Sequence, residues 1–470
     1  MVEKRKTICL FCSLGCGVAF RTSNDLVTAI DYDKENPVNS GSLCPRGYYN
    51  LELINHPQRL MYPQVGKYKV SWDEAVSFAK KELEKCDPGS IGIALSSNSS
   101  NEDAYMAGLM AKELGIKNIL TSGNAADQEA YQGNRWEALG ATPGNIDDIG
   151  TSESLLIIGD ILTRSPVLSK RINQVKYGKR GNHIIVIDPN VSHTSWFATI
   201  HLKNKPGTEA LLMAAIIKEL EGSKKGKFDI DLDEVSKAVG IPADTIPRAA
   251  KAFDSAASGC VIFSPSKNIQ RNDLVQYFAK VASSLSTNKK HITFYGYGNT
   301  LGVNTIIDSM IEDHGSRSDI KALISIGEDI DVPATKFSVR ACYFAPDTVR
   351  ENIVLLPLAS HMESKGSVML AGGRIENFKP LAPKVGGMTG LEIISLISGI
   401  KITQDEASEE TGKILAKGIE EEKVDLKKKI SEALDIRPKT AACLENITHF
   451  GDNGLVKRFF WYRMNNKNGR

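Results

Sequence analysis

Residues 7–20 read TICLFCSLGCGVAF, and three of the chain's eight cysteines, Cys9, Cys12 and Cys16, fall within eight residues of this stretch. Cys44 follows after a gap of 27 residues, while Cys86, Cys260, Cys342 and Cys443 are scattered. Clustered cysteines in a chain without a disulfide-scaffold composition point to a metal centre rather than to cross-links. Three thiolates on one tight loop can wrap a centre, and a distant fourth closes it. Zinc sites usually show two short Cys-x2-Cys halves. An iron–sulfur cube needs four thiolates at the corners of a larger object, which the three-plus-one layout suits. Gly15 and Gly17 beside Cys16 let the backbone fold close around such a group. Structural zinc and unligated core thiols are the competing readings, and the four scattered cysteines read as small buried hydrophobes.

A chain of 470 residues is long enough for two to four domains. With 41% hydrophobic and 24% charged residues it has the composition of a soluble globular protein. A formal net charge of +2 argues against nucleic-acid binding driven by bulk charge. No apolar run reaches the roughly 18 residues a membrane span needs. The basic start, MVEKRKTICLFC, is followed by neither an apolar signal core nor a twin-arginine signal. The expectation is a cytoplasmic protein that is not itself embedded in a membrane.

The body of the chain alternates short apolar runs with amphipathic stretches, the pattern of an α/β fold. Strands are expected at 91–97, 154–160, 183–188, 260–265, 291–296, 321–327, 341–345 and 352–357. Most are β-branched and continuously apolar, as strands of a parallel sheet covered on both faces are. Ser71 with Glu74 forms a capping box ahead of one helix, and a helix from residue 101 is expected to stop at Gly115. Further helices are expected over 208–222 and 273–285. Loops at the carboxyl ends of such strands are where ligands bind. The Gly-x-Gly-x-x-Gly fingerprint after a first strand is missing, which disfavours a simple nicotinamide dehydrogenase.

After Cys44 the chain continues CPRGYYNLELINHPQRLMYP. Together with the cysteine spacing, this resembles the end of the iron–sulfur domain of the molybdopterin oxidoreductase family, which includes formate dehydrogenases, nitrate reductases, the B subunit of formylmethanofuran dehydrogenase and the G subunit of respiratory complex I. Later pieces follow in the family's order: SSNSSNEDAY (96–105), IIGDILTRSP (157–166), VIDPNVSHT (186–194), NKPGTEALL (204–212), GNTLGV (298–303) and LPLASHMESKGSVMLAGGRIE (356–376), which includes Glu363, Gly366 and Arg374. The resemblance implies one [4Fe-4S] cluster on Cys9, Cys12, Cys16 and Cys44. It places Arg46 between cluster and pterin, where formate dehydrogenases usually carry a lysine. It also implies contacts to a molybdopterin guanine dinucleotide at Gly159, Asp160, Asp188, Gly207 and Thr208. The fold it implies is a small N-terminal [4Fe-4S] domain (1–63) followed by two interleaved Rossmann-like parallel-sheet domains, 64–125 plus 300–400 and 126–299. A charged helical extension (401–470) follows.

The sequence also departs from that pattern. Where formate dehydrogenases place a cysteine or selenocysteine on molybdenum or tungsten, residues 115–133 read GIKNILTSGNAADQEAYQG and hold no cysteine. Ser122 or Thr121 could give an oxygen ligand, although a turn serine beside Gly123 is the blander reading. Asn190 replaces an arginine that meets a cofactor phosphate. The sequence stops before the C-terminal barrel domain of the catalytic members, which formylmethanofuran dehydrogenase carries on a separate subunit. An intact cluster motif beside a weakened metal site leads to the expectation of an electron-relay and scaffold subunit in a multisubunit oxidoreductase. The alternatives are a catalytic subunit with molybdenum or tungsten and the missing domain supplied by a partner, and a zinc-binding scaffold.

The last stretch differs in character. Glu and Lys recur near i, i+4 spacing over 403–433, usually a solvated helical face. KRFFWYR (457–463) then places aromatic residues between basic ones. A free tail does not usually expose such a cluster, which suits docking on a partner subunit. The alternatives are folding back on its own domain and base stacking with a nucleic acid. Deleting residues 450–470 is expected to release the partner on gel filtration; an intact complex would count against docking.

Overall fold

A computed structural model describes residues 2–122, 125–222, 230–312, 320–327 and 335–439. Two parallel sheets dominate it. One has the order 200–202, 183–187, 154–158, 259–263, 289–293, with every neighbouring pair parallel. The other runs 68–69, 64–65, 353–357, 337–342, 322–326, 91–96, 118–122; its last five strands are parallel, and the hairpin 64–69 adds antiparallel at one edge. Strands such as Ser154–Ile158 and Ile91–Ser96 are buried along their whole length, as continuous apolar runs between covering helices must be. The strand expected at 341–345 lies earlier, at Phe337–Cys342. Strands Asn118–Ser122 and Ile200–Leu202 were not anticipated.

The helix signals act as read. Ser71 Oγ accepts from Glu74 N at 3.2 Å and Glu74 returns the bond to Ser71 N at 2.8 Å, opening helix Trp72–Leu83. Gly115, at φ +69°, closes helix Asn101–Leu114.

Strand order decides where ligands can enter. In the five-stranded sheet the chain runs outward one way from Ser154–Ile158 and the other way from Gly259–Phe263. In the larger sheet it diverges between Ile91–Ser96 and Ala322–Ile326. Each divergence leaves a crevice beyond the carboxyl ends of two adjacent strands. One is bounded by Gly159 and Ser264, the other by Ser96 and Gly327.

The N-terminal unit is a three-stranded antiparallel meander, Val2–Ile8, Gly17–Ser23 and Leu26–Asp31. Its apolar face, with Val18, Phe20 and Val27, joins the core that contains Ile157 and Ile262 of the five-stranded sheet. An amide network links the loop after Ile91–Ser96 to the segment before helix Thr300–Met310 and to the hairpin 366–378. Asn98 Oδ1 accepts from Gly298 N at 2.8 Å, Asn299 donates to Ser99 O (2.8 Å) and Asn101 Oδ1 (2.9 Å), and Asn299 Oδ1 accepts from Met369 N at 2.6 Å. A satisfied network of this kind makes these motif residues joints of the fold.

The charged extension folds onto this body. Helix Gln404–Lys417 buries Ala407, Thr411 and Leu415 against Asn101–Leu114 and Thr300–Met310, so it is not a fully solvated element. Glu422 then pairs with the backbone at 135–137: Glu137 N donates to its carbonyl at 2.8 Å and its own N–H to Arg135 O at 2.6 Å. Lys280, 3% exposed, donates to Asn134 O and Trp136 O, both at 2.9 Å, and pairs with Glu421. Helix Leu426–Leu434 follows, and Lys439 N reaches Pro206 O at 2.8 Å. The aromatic KRFFWYR segment lies outside the described residues. No helix among them is long and apolar enough to cross a membrane.

One buried ion pair joins the end of the cysteine-bearing region to the loop after the larger sheet. Arg59 pairs with Glu363, both nearly inaccessible, and Glu363 also accepts from Ser360 N (2.9 Å), Ser360 Oγ (2.8 Å) and Val385 N (3.0 Å). Glu363→Gln leaves the Arg59 guanidinium buried without a counter-charge. Urea denaturation should show a loss of about 3–5 kcal/mol.

Candidate functional site

The turn between the first two strands carries Cys9, Cys12 and Cys16, and Cys9 N donates to Cys16 O at 2.8 Å to close it. Gly15 sits at φ +63°, and a Cβ there would lie 2.2 Å from Leu370 Cδ1. Only glycine lets the loop approach so closely. The loop is seated on both sides: Ser13 N donates to Tyr295 O (3.3 Å), Ala371 N to Ser13 O (2.9 Å) and Arg374 Nη2 to Leu14 O (2.8 Å). Asn39 binds both backbone groups of Gly17, at 2.9 and 3.0 Å, and Ser42 O at 2.7 Å, which draws the approach to Cys44 onto the loop.

Cys9, Cys12 and Cys16 are buried and Cys44 is partly open. Burial, then the neighbouring thiols Cys44 and Cys12, push Cys9 up to about 12. Burial and then Cys12, Cys9 and Cys44 hold Cys16 well above the ordinary thiol value. Four neighbouring thiols, two of them held protonated by burial, suit a site that exchanges their protons for metal. Among the described residues no three His, Cys, Asp or Glu side chains converge on a single ion. A cube spreads its ligands wider than a mononuclear centre does.

Arg46 lies behind the thiols on helix Pro45–Tyr48, 4% exposed. Burial works against its charge, but the thiols of Cys12, Cys44 and Cys9 outweigh that and hold its pKa above the ordinary value. Its guanidinium donates to Arg164 O. Arg164 Nη1 in turn lies 3.6 Å from Asp127 Oδ1, and Asp127 Oδ2 accepts from Gly296 N at 2.9 Å. A line of charge thus runs inward from the thiols to the first turn of helix Ala125–Arg135. Nothing in the sequence singled out Arg164 or Asp127, because a charged residue in a helical stretch reads as surface. Ser122 ends strand Asn118–Ser122, opposite Ser96. Its side chain, and residues 123–124, lie outside the described residues.

The five positions expected to meet a dinucleotide gather at the carboxyl end of the five-stranded sheet. Gly159, at φ +85°, passes so close to Ser264 that a Cβ would stand 2.7 Å from its carbonyl oxygen. Asp160 Oδ1 accepts from Thr194 Oγ1 at 2.5 Å, and Asp160 Oδ2 from Thr163 Oγ1. Asp188 Oδ1 accepts from Asn190 N at 2.9 Å. Gly207 packs on Gln270, and Thr208 Oγ1 donates to Lys205 O at 2.7 Å. Asp160 and Thr208 therefore shape their own turns. The freer acceptor is Glu209, 1% exposed, which takes one bond from Asn204 Nδ2 at 3.2 Å while its Oε2 has no partner. Burial pushes it up to about 7, opposed by its own backbone N–H, then by Asn204 and the Gly207 N–H. A buried carboxylate short of donors suits a ligand edge rich in N–H groups, so these turns fit the nucleotide end of a pterin cofactor. The second crevice is lined by Ser96, Asn98, Gly327, Tyr343 and His361. His361, driven down to about 4 by burial, is neutral and donates from Nε2 to Ile8 O at 3.0 Å.

Glu209 gives a pH signature. Its folded value lies above its ordinary one, so the stability it contributes is full at low pH and falls as pH rises toward and through about 7. The loss approaches about 3 kcal/mol. Glu209→Gln in the ligand-free protein should be the more stable form at pH 8 by up to that amount, and little different at pH 5, in urea titrations.

Comparison with known proteins matches this geometry. The family model described as "Molybdopterin oxidoreductase Fe4S4 domain" matches residues 2–56. The model described as "Molybdopterin oxidoreductase" matches residues 59–389. The F420-dependent formate dehydrogenase 1 subunit alpha of Methanococcus maripaludis is 27% identical over 282 residues, 55% of this chain and 42% of that protein. A nitrate reductase of Symbiobacterium thermophilum is 30% identical over 241 residues, 49% of this chain and 32% of that protein. The chain thus spans less than half the length of these curated relatives. Acetylene hydratase from Pelobacter acetylenicus shares the fold, with a TM-score of 0.63 at 15% identity over 84% of this chain and 69% of its own. With the two family models together matching residues 2–56 and 59–389, this chain belongs to the molybdopterin oxidoreductase family, its Fe4S4 domain preceding the larger one.

Proposed function

We propose that the chain is the iron–sulfur electron-relay and scaffold subunit of a multisubunit cytoplasmic oxidoreductase, holding one [4Fe-4S] cluster on Cys9, Cys12, Cys16 and Cys44. The observation that carries this reading is the convergence of four thiols in one largely buried pocket with the Arg46 guanidinium against them. The cluster, when bound, supplies one-electron transfer. The chain's part is to hold it through four thiolates and to keep water from three of them. Arg46 stays charged at any working pH, which favours an arriving electron. The absence of a cysteine from residues 115–133 supports a relay over catalysis at this subunit. The partners proposed are flavin-bearing, ferredoxin-like or formate dehydrogenase-type subunits, in keeping with relatives described as alpha subunits. Residues 1–63 would form the cluster domain, 64–125 with 300–400 and 126–299 the scaffold, and 401–470 the partner-docking extension.

The nucleotide crevice favours a second reading. Glu209 keeps a buried acceptor free beside Asp188, Gly207 and Thr208, as a retained cofactor cradle would. On this reading the chain is a catalytic subunit, formate- or formylmethanofuran-dehydrogenase-like, that binds molybdenum or tungsten through molybdopterin guanine dinucleotide. Ser122 is then the candidate metal ligand, and another subunit supplies a further domain.

Elemental analysis of the anaerobically purified complex separates the two. Iron without molybdenum or tungsten is expected for the relay; stoichiometric molybdenum or tungsten on this subunit would establish the catalytic reading. Zinc in place of iron would defeat both. Cys44→Ser is expected to lose the visible absorption and the iron, and to destabilise the cluster domain. Unchanged iron in that variant would remove Cys44 from the ligand set.

A further inference from the structure

One short loop touches both the thiol pocket and the nucleotide crevice. It leaves strand Ser154–Ile158, begins at Gly159 and Asp160, turns through helix Ile161–Arg164, and ends at Ser165. At its first end Asp160 is held by Thr194, whose hydroxyl donates to Asp160 Oδ1 at 2.5 Å and accepts from Leu162 N at 3.0 Å. At its last end Ser165, 1% exposed, points its Oγ at Cys12 Sγ, 3.7 Å away. That separation is an O–H···S contact, given the larger radius of sulfur. Beside it the Arg164 carbonyl accepts from Arg46. Ser165 N is bonded to Ile161 O at 2.7 Å, which ties its backbone to the helix turn behind it.

We propose that Ser165 sets the reduction potential of the cluster through this hydrogen bond, and that the loop it shares with Asp160 makes that potential depend on the state of the nucleotide crevice. The physical basis is general. A donor aimed at a ligand sulfur stabilises the reduced, more negative cluster more than the oxidised one, and so raises the potential. A hydroxyl on a buried and internally bonded residue holds that orientation at little entropic cost. The crevice enters because Asp160 and Thr194 fix the other end of the same turn. A ligand that re-forms the bonds of Asp160 would shift helix Ile161–Arg164, and with it the distance from Ser165 to Cys12.

The inference rests on the cluster assignment above, and the experiment keeps the two apart: a wild-type chain without iron fails the assignment, whereas the present proposal is judged only on chains that carry it. The test is a redox titration of the anaerobically purified complex, followed by the electron paramagnetic resonance signal of the reduced cluster. Iron is measured in each sample. Ser165→Thr and Ser165→Val present side chains of the same shape that differ by the hydroxyl. The valine variant is expected to have the lower potential, with a larger oxidised fraction at a poise set to the wild-type midpoint, while the threonine variant stays near wild type. Equal potentials in the two variants would overturn the role of the hydroxyl. So would loss of iron from the valine variant alone, which would make the hydroxyl an assembly contact. Thr194→Val, which touches no cysteine, is expected to shift the potential with iron intact. An unchanged potential there would overturn the link to the crevice.

Discussion

The loop from Cys9 to Cys16 has almost nothing of its own to fold upon, and its seating between the end of the five-stranded sheet and the hairpin 366–378 is the contact on which the site depends. Its backbone carbonyls and amides are taken up by Tyr295 from one sheet and by Ala371 and Arg374 from the hairpin beyond the other. A buried backbone group must find a partner, so the loop takes a defined shape only when both bodies are in place. The geometry of the thiols is therefore set by tertiary structure at residues near 300 and 370, far along the chain.

The same constraint explains why so many polar residues in the recognisable motifs face inward. Asn98, Asn101 and Asn299 link the loop after Ile91–Ser96 to the start of Thr300–Met310 and to the 366–378 hairpin. Arg59 and Glu363 do the same at the other flank. These are largely buried polar contacts whose loss is costly and whose presence fixes how the elements meet.

The parts of this architecture that could be read from the sequence are those where one local signal suffices. Continuous apolar runs gave Ile91–Ser96, Ser154–Ile158 and His183–Ile187, because a strand buried on both faces has no other way to look. Phe337–Cys342 was placed too late because Ser338 and Arg340 interrupt its apolar pattern. The N-terminal meander was missed because its first strand, VEKRKTI, is mostly exposed and charged. The four clustered cysteines stood out by their spacing, and the structure places their thiols near one another. Arg164, Asp127 and Glu209 did not stand out, since a carboxylate or guanidinium shows its importance only once burial is known. Glu209 even lay inside a quoted motif, where the glycine and threonine before it drew the eye to turn chemistry instead.

Lys280 carries a consequence for where this protein can be divided. Its ammonium sits inside the structure with two backbone carbonyls and the carboxylate of Glu421 around it. That carboxylate comes from beyond residue 389, where the matched family region ends. A chain shortened behind that point would keep the cation and lose its counter-charge, within helix Asn272–Leu285, which packs on two strands of the five-stranded sheet. The extension is thus part of the packing around this cation, and a fragment cut at the family boundary would be a weaker molecule.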